Sequence, residues 1–157
     1  MFDSINGIPV HPLVVHAIVV LLPLATLGTI AIAVRPSWRG PSGPLVVAAA
    51  LVATVLCPIA TSSGEDLEKR VGNPGEHAEL GDTLVWFALA LLITSAALVW
   101  LERRHGRSEE TGRPMVLSIV AVLAVVIGLA SVVQVYRVGD SGARAAWGDG
   151  STSSPGD

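Results

Sequence analysis

Three histidines placed near the starts of two apolar stretches are the residues best suited to chemistry: His11, His16 and His77. His16 lies about one helical turn inside an apolar run, where an ionisable group is a functional candidate by default. His77 lies just ahead of another run, with Glu79 and Asp82 following it closely. Two imidazoles from different helices of a bundle are the usual way to hold a b-type haem, and carboxylates added to them make a metal site. His16 and His77 are therefore expected to form a cofactor-binding pair, with His11, Glu65 and Asp140 as candidate metal ligands. Haem b or a divalent metal suits this set. The competing expectation is that His11, His77 and the acids simply end their helices at a water interface. His105, among Arg103, Arg104 and Arg107, reads as a solvated loop residue.

Other chemistries are excluded early. Cys57 is the single cysteine, so one chain can form no internal disulfide and no Cys-based zinc or iron–sulfur site. Gly139-Asp140-Ser141-Gly142 resembles the segment around a serine-protease nucleophile, but those enzymes are soluble β-barrels and this chain has no strand pattern. There is no phosphate loop, no HExxH and no basic patch for nucleic acid.

The elements that must position these residues are apolar and long. Of 157 residues, 51% are hydrophobic and only 15% are charged, and the charges gather between the apolar runs. Leu13–Val34, Pro44–Ala60 (extended by Thr61, Ser62 and Ser63), Thr83–Leu101 and Met115–Tyr136 carry no charge besides His16. A span needs roughly 20 apolar residues, with about 17 tolerated. In hydrocarbon a lone segment must satisfy its backbone within itself, so each run is expected to be a helix. The expected architecture is all-α, an up-down integral membrane bundle of four transmembrane helices. Its spans fall at about 13–34, 44–63, 83–101 and 115–136, within a domain of residues 1–147. Residues 148–157, rich in Gly, Ser and Asp, read as a disordered tail. No Lys or Arg precedes the first run, and it is too long for a signal-peptide core, so it reads as a retained helix.

Orientation follows from the basic residues. Arg35 and Arg39 in the first loop and Arg103, Arg104, Arg107 and Arg113 in the third put six on one side, in short connections. The opposite side has Lys69, Arg70, Arg137 and Arg144, together with most of the acids. The six-basic side is expected to be cytoplasmic and both termini non-cytoplasmic. Asn73-Pro74-Gly75-Glu76 reads as the capped start of the third helix, and Glu65–Val71 as the second helix running on past the membrane or as a short amphipathic piece lying on it. Trp86, Trp100 and Trp147 fall near membrane boundaries, as an aromatic belt does. Ala49, Ala53, Cys57 and Thr61 on the second helix, and Ala124 and Gly128 on the fourth, are small-residue stripes where helix backbones can approach.

Ordered motifs at the four helix ends carry a resemblance. His11-Pro12-Leu13-Val14-Val15-His16, Thr61-Ser62-Ser63-Gly64-Glu65, Glu76-His77-Ala78-Glu79-Leu80-Gly81 and Tyr136-Arg137-Val138-Gly139-Asp140-Ser141-Gly142-Ala143 through Trp147 resemble, in that order, the bacterial four-helix membrane proteins called domain of unknown function 2231. The resemblance covers roughly residues 7–148. Many members carry His where this chain has Asp140. Some are joined to Rieske-type iron–sulfur domains, so the resemblance implies a bacterial inner-membrane protein with a link to membrane electron transfer.

Two functional expectations stand side by side. One is a subunit or small module of membrane electron transfer, non-catalytic, whose cluster of His and acids binds haem b or a metal. The other is a structural or assembly subunit of a larger membrane complex with no cofactor. In either case the partners are the lipid bilayer and other membrane subunits, not nucleic acid. A carrier for ions or small solutes is weaker, because only His16 lies within a span.

Overall fold

The computed structural model describes residues 4–5, 8–72, 75–106 and 114–147. Four helices dominate: α1 (Val10–Val34), α2 (Gly43–Val71), α3 (Glu76–His105) and α4 (Met115–Trp147). A 3-10 turn at Pro36–Trp38 joins α1 to α2, and Ser4–Ile5 pairs with Ile8–Pro9 ahead of α1. All four helices are long and apolar enough to cross a membrane. Each packs on two neighbours in a ring, α1–α2–α3–α4, and α1 also touches α3 across the centre. α1 and α3 begin at one end of the bundle, here the histidine end, where α2 and α4 finish. The other is the arginine end.

The surface is inverted relative to a soluble bundle. Val20, Leu45, Val122 and Val133 are all exposed on its outside, where lipid replaces water as the solvent of apolar groups. Helix contacts inside are made by small residues: Ala50, Ala53, Ala88 and Ala124 are fully buried. At Gly128 the α4 backbone comes so close to α1 that an added Cβ would lie 2.6 Å from Ile30 Cγ1. The stripes expected on α2 and α4 thus lie inside the bundle at Ala53, Cys57, Ala124 and Gly128, with Ala49 and Thr61 half-buried. The buried hydroxyls of Thr26 and Ser131 bond along their own helices, to Leu22 O and Ile127 O, which hides their polarity from the apolar interior; the buried Thr29 Oγ1 has no hydrogen-bond partner among the described residues.

At the arginine end Arg39 is only 3% exposed. Its Nε donates to Ile32 O at 2.8 Å, its Nη2 to Ala33 O at 2.9 Å, and its Nη1 to Glu102 Oε2 at 2.8 Å. The guanidinium therefore caps the carbonyls that α1 leaves unpaired at its C-terminus and ties them to α3. The sequence marked Arg39 only as a topological charge.

The helices run beyond the apolar spans. α2 continues through Glu65–Val71, as one of the two readings of that segment had it, and α3 begins at Glu76, where its start was expected. Gly75, with φ 61°, precedes α3 and no side chain caps it. Asn73 and Pro74 lie outside the described residues. His105 is the last residue of α3, not part of a loop. α4 extends beyond Tyr136 to Trp147, so Gly139-Asp140-Ser141-Gly142 is helical. The tail expected at 148–157 lies outside the described residues.

Candidate functional site

His11 is the second residue of α1, seven residues before the buried Ile18. Two helical turns separate them, so they share a face, and His11 points toward the bundle. Its ring crosses to α2. Nδ1 donates to Ala60 O at 2.9 Å and lies 3.4 Å from Ser63 Oγ, which itself donates to Ala60 O at 3.0 Å. The ring rests on Gly64, where an added Cβ would stand 3.0 Å from Cε1.

His77 is the second residue of α3 and repeats this arrangement on α4. Nδ1 donates to Val138 O at 3.2 Å and lies 3.3 Å from Ser141 Oγ, which donates to Val138 O at 3.0 Å. The ring rests on Gly142, where a Cβ would again stand 3.0 Å from Cε1.

A carbonyl oxygen can only accept, so the proton of each ring sits on Nδ1. In the neutral imidazole the lone pair is then on Nε2. Anchoring Nδ1–H on a backbone carbonyl is also how proteins orient histidines that ligate metals. Both histidines line one cleft of about 480 Å3 at the histidine end. Val15, Ile18, Cys57 and Leu84 form its apolar floor, and Glu65, Glu68, Glu79 and Asp82 stand around it. With Nδ1 committed, the polar side chains of the cleft are acceptors, apart from the Thr61 hydroxyl. Such a cleft suits an electron-pair acceptor or a hydrogen-bond donor. It offers little to a ligand that presents carbonyls.

The structure places His16 away from the cleft that His77 lines. His16 is exposed, its Nδ1 donates to Pro12 O of its own helix at 2.6 Å, and it does not line the cleft. Two residues along a helix turn the side chain by about 200°, so His16 faces away from the side that carries Ile18. His11 is the imidazole that shares the cleft with His77. Of the expected metal ligands, His11 and Glu65 line the cleft, whereas Asp140 pairs with Arg144 one turn along α4 at 2.5 Å. Among the described residues, no three His, Cys, Asp or Glu side chains come together as a metal-binding group. Ser63, Gly64, Ser141 and Gly142 are the residues that reading for ligands missed. Their signal was a Ser-Gly pair in two helix ends of the same bundle.

The profile of a family described as a predicted membrane protein, domain of unknown function 2231, matches residues 7–155. The chain belongs to that family. Neither a curated protein nor a solved structure matches it. In this DUF2231 chain the motif segments that carried the resemblance all end at the histidine end, and each supplies a part of the two imidazole seats: His11 and His77 as rings, Ser63-Gly64 and Ser141-Gly142 as their supports.

Proposed function

We propose that this protein is a cofactor-holding membrane module, and that His11 and His77 together bind a metal-centred group in the cleft at the histidine end. One observation carries the reading: two imidazoles line the same cleft, each with Nδ1 anchored on a carbonyl and Nε2 left to ligate. The ligand count favours haem b over a bare ion. A protein-bound ion such as zinc takes three or four protein ligands, and no such group forms among the described residues. Haem iron already has four ligands from its macrocycle, so two imidazoles would suffice to hold it. The carboxylates around the cleft work in the other direction, since they attract a cation and repel haem propionates, which would have to lie clear of them.

The excess of Arg at the opposite end supports placing the histidine end on the non-cytoplasmic side of a bacterial inner membrane. There the module would serve electron transfer. Optical spectroscopy and metal analysis of the purified protein, followed by titration with haemin and with zinc or copper ions, test the reading. One haem per chain is the expected result. Saturable binding of an ion but not haemin assigns the site to the ion. No binding of either favours a structural or assembly subunit of a larger membrane complex.

A further inference from the structure

The two imidazole seats match atom for atom. Ala60, Ser63 and Gly64 in α2 recur with the same spacing as Val138, Ser141 and Gly142 in α4. Their ring contacts agree as well: an added Cβ at Gly64 would lie 3.0, 3.2 and 3.8 Å from Cε1, Nδ1 and Nε2 of His11, and at Gly142 3.0, 3.1 and 3.7 Å from the same atoms of His77. The agreement extends down the bundle. The buried residues Leu22, Ala25, Thr29, Ile32 and Ala33 lie at the same distances along the chain from His11 as the buried Ala88, Leu91, Ser95, Leu98 and Val99 lie from His77. On the returning helices, buried Ala50 and Ala53 stand to Gly64 as buried Gly128 and Ser131 stand to Gly142. Residue types differ at most of these places, yet burial and spacing coincide.

We infer that the chain is built from two equivalent helical hairpins, α1–α2 and α3–α4, and that Ser63-Gly64 and Ser141-Gly142 are positioning residues that present His11 and His77 as an equivalent pair of ligands. Each glycine lets the ring lie against the helix backbone. Each serine accepts from Nδ1–H while donating to the carbonyl that anchors it, so the ring is held by two oxygens in one tautomer. The pairing of the rings as ligands rests on the proposed cofactor site; the seats and their equivalence do not. One departure from the repeat lies beside the seats. Gln134 Nε2 donates to Thr83 Oγ1 at 2.7 Å and to Leu80 O at 3.2 Å between α3 and α4, and the corresponding residue of the first hairpin is Leu56.

Nitrogen-15 NMR of the histidine side chains in the full chain tests the seats without any cofactor. Signals are assigned by their loss in His11→Ala and His77→Ala, with His16→Ala identifying the exposed ring. The expected result is Nδ1 protonated and Nε2 unprotonated for both His11 and His77. Gly64→Ala should shift only the His11 signals, and Gly142→Ala only those of His77, by similar amounts. Where haemin binds, each glycine variant should weaken it about tenfold and the two should agree within threefold. Unbound haemin together with the expected tautomers overturns the cofactor reading and leaves the seats established. Protonated Nε2 on either ring, or a glycine variant that leaves its own ring unmoved, overturns the positioning role. Haemin affinities that differ tenfold between the two glycine variants overturn the equivalence.

Discussion

The α-carbon of Gly142 lies so near the His77 ring that a methyl group on it would come within 3.0 Å of Cε1. Inside a helix a glycine is about 0.5–1 kcal/mol worse than alanine, but at Gly142 the ring occupies the space a methyl group would need.

Gly142→Ala therefore lowers stability in the wild-type background. Overpacking costs about 1–3 kcal/mol, and it outweighs the helical gain here if the hydrogen-bonded ring of His77 does not give way by a few tenths of an ångström. In a His77→Ala background the clash is gone and only the gain remains, so the sign reverses and Gly142→Ala stabilises by about 0.5–1 kcal/mol. Thermal or denaturant unfolding of the four proteins of this cycle in detergent measures the coupling. Additive effects would mean that the ring and the glycine do not meet.

Arg39→Ala leaves the Ile32 and Ala33 carbonyls without their donor and Glu102 without its partner. Glu102 retains some contact with solvent, which moderates the effect. A loss of about 3 kcal/mol is expected from stranded buried groups. Arg39→Lys should recover only part of it, because one ammonium cannot span two carbonyls and a carboxylate in a fixed plane. Equal melting of Arg39→Ala and wild type would show that the cap contributes nothing.

Gly128→Leu pushes α4 off α1, because even a Cβ at that position would meet Ile30 Cγ1 at 2.6 Å and Cδ1 at 2.9 Å. Destabilisation of at least about 1–3 kcal/mol is expected, with residues of α1 and α4 gaining hydrogen exchange first. Wild-type melting would place Gly128 against lipid instead.

Topology is tested by cysteines at Gly40 and Ala145, both exposed positions at opposite ends of the bundle, in a Cys57→Ser background. An impermeant thiol reagent applied to intact cells should label position 145 and leave position 40 untouched. The opposite pattern would put the histidine end in the cytoplasm.

The spans were legible because charge is so costly in hydrocarbon that four uncharged runs leave few alternatives. Their ends were less legible. Arg137–Trp147 is polar enough to read as leaving the helix, yet it continues α4 and carries the seat of His77 at Val138, Ser141 and Gly142. His16 drew attention by lying inside an apolar run, but intrusion into a run says nothing of the side it faces. The heptad from His11 to Ile18 and from His77 to Leu84 held that information. What no periodicity shows is the use of Gly64 and Gly142 as beds for a ring from another helix, a contact that exists only once the hairpins close.

We propose that His11 and His77, and not His16, would together hold the metal-centred group, and the spin state of haem bound to single-histidine variants tests this most directly. Wild type and His16→Ala should both give a low-spin ferric spectrum of two imidazole ligands. His11→Ala and His77→Ala should each give high-spin haem, and added imidazole should restore the low-spin form in both. A low-spin spectrum that survives His11→Ala or His77→Ala, or one lost in His16→Ala while the fold is intact, would contradict the account.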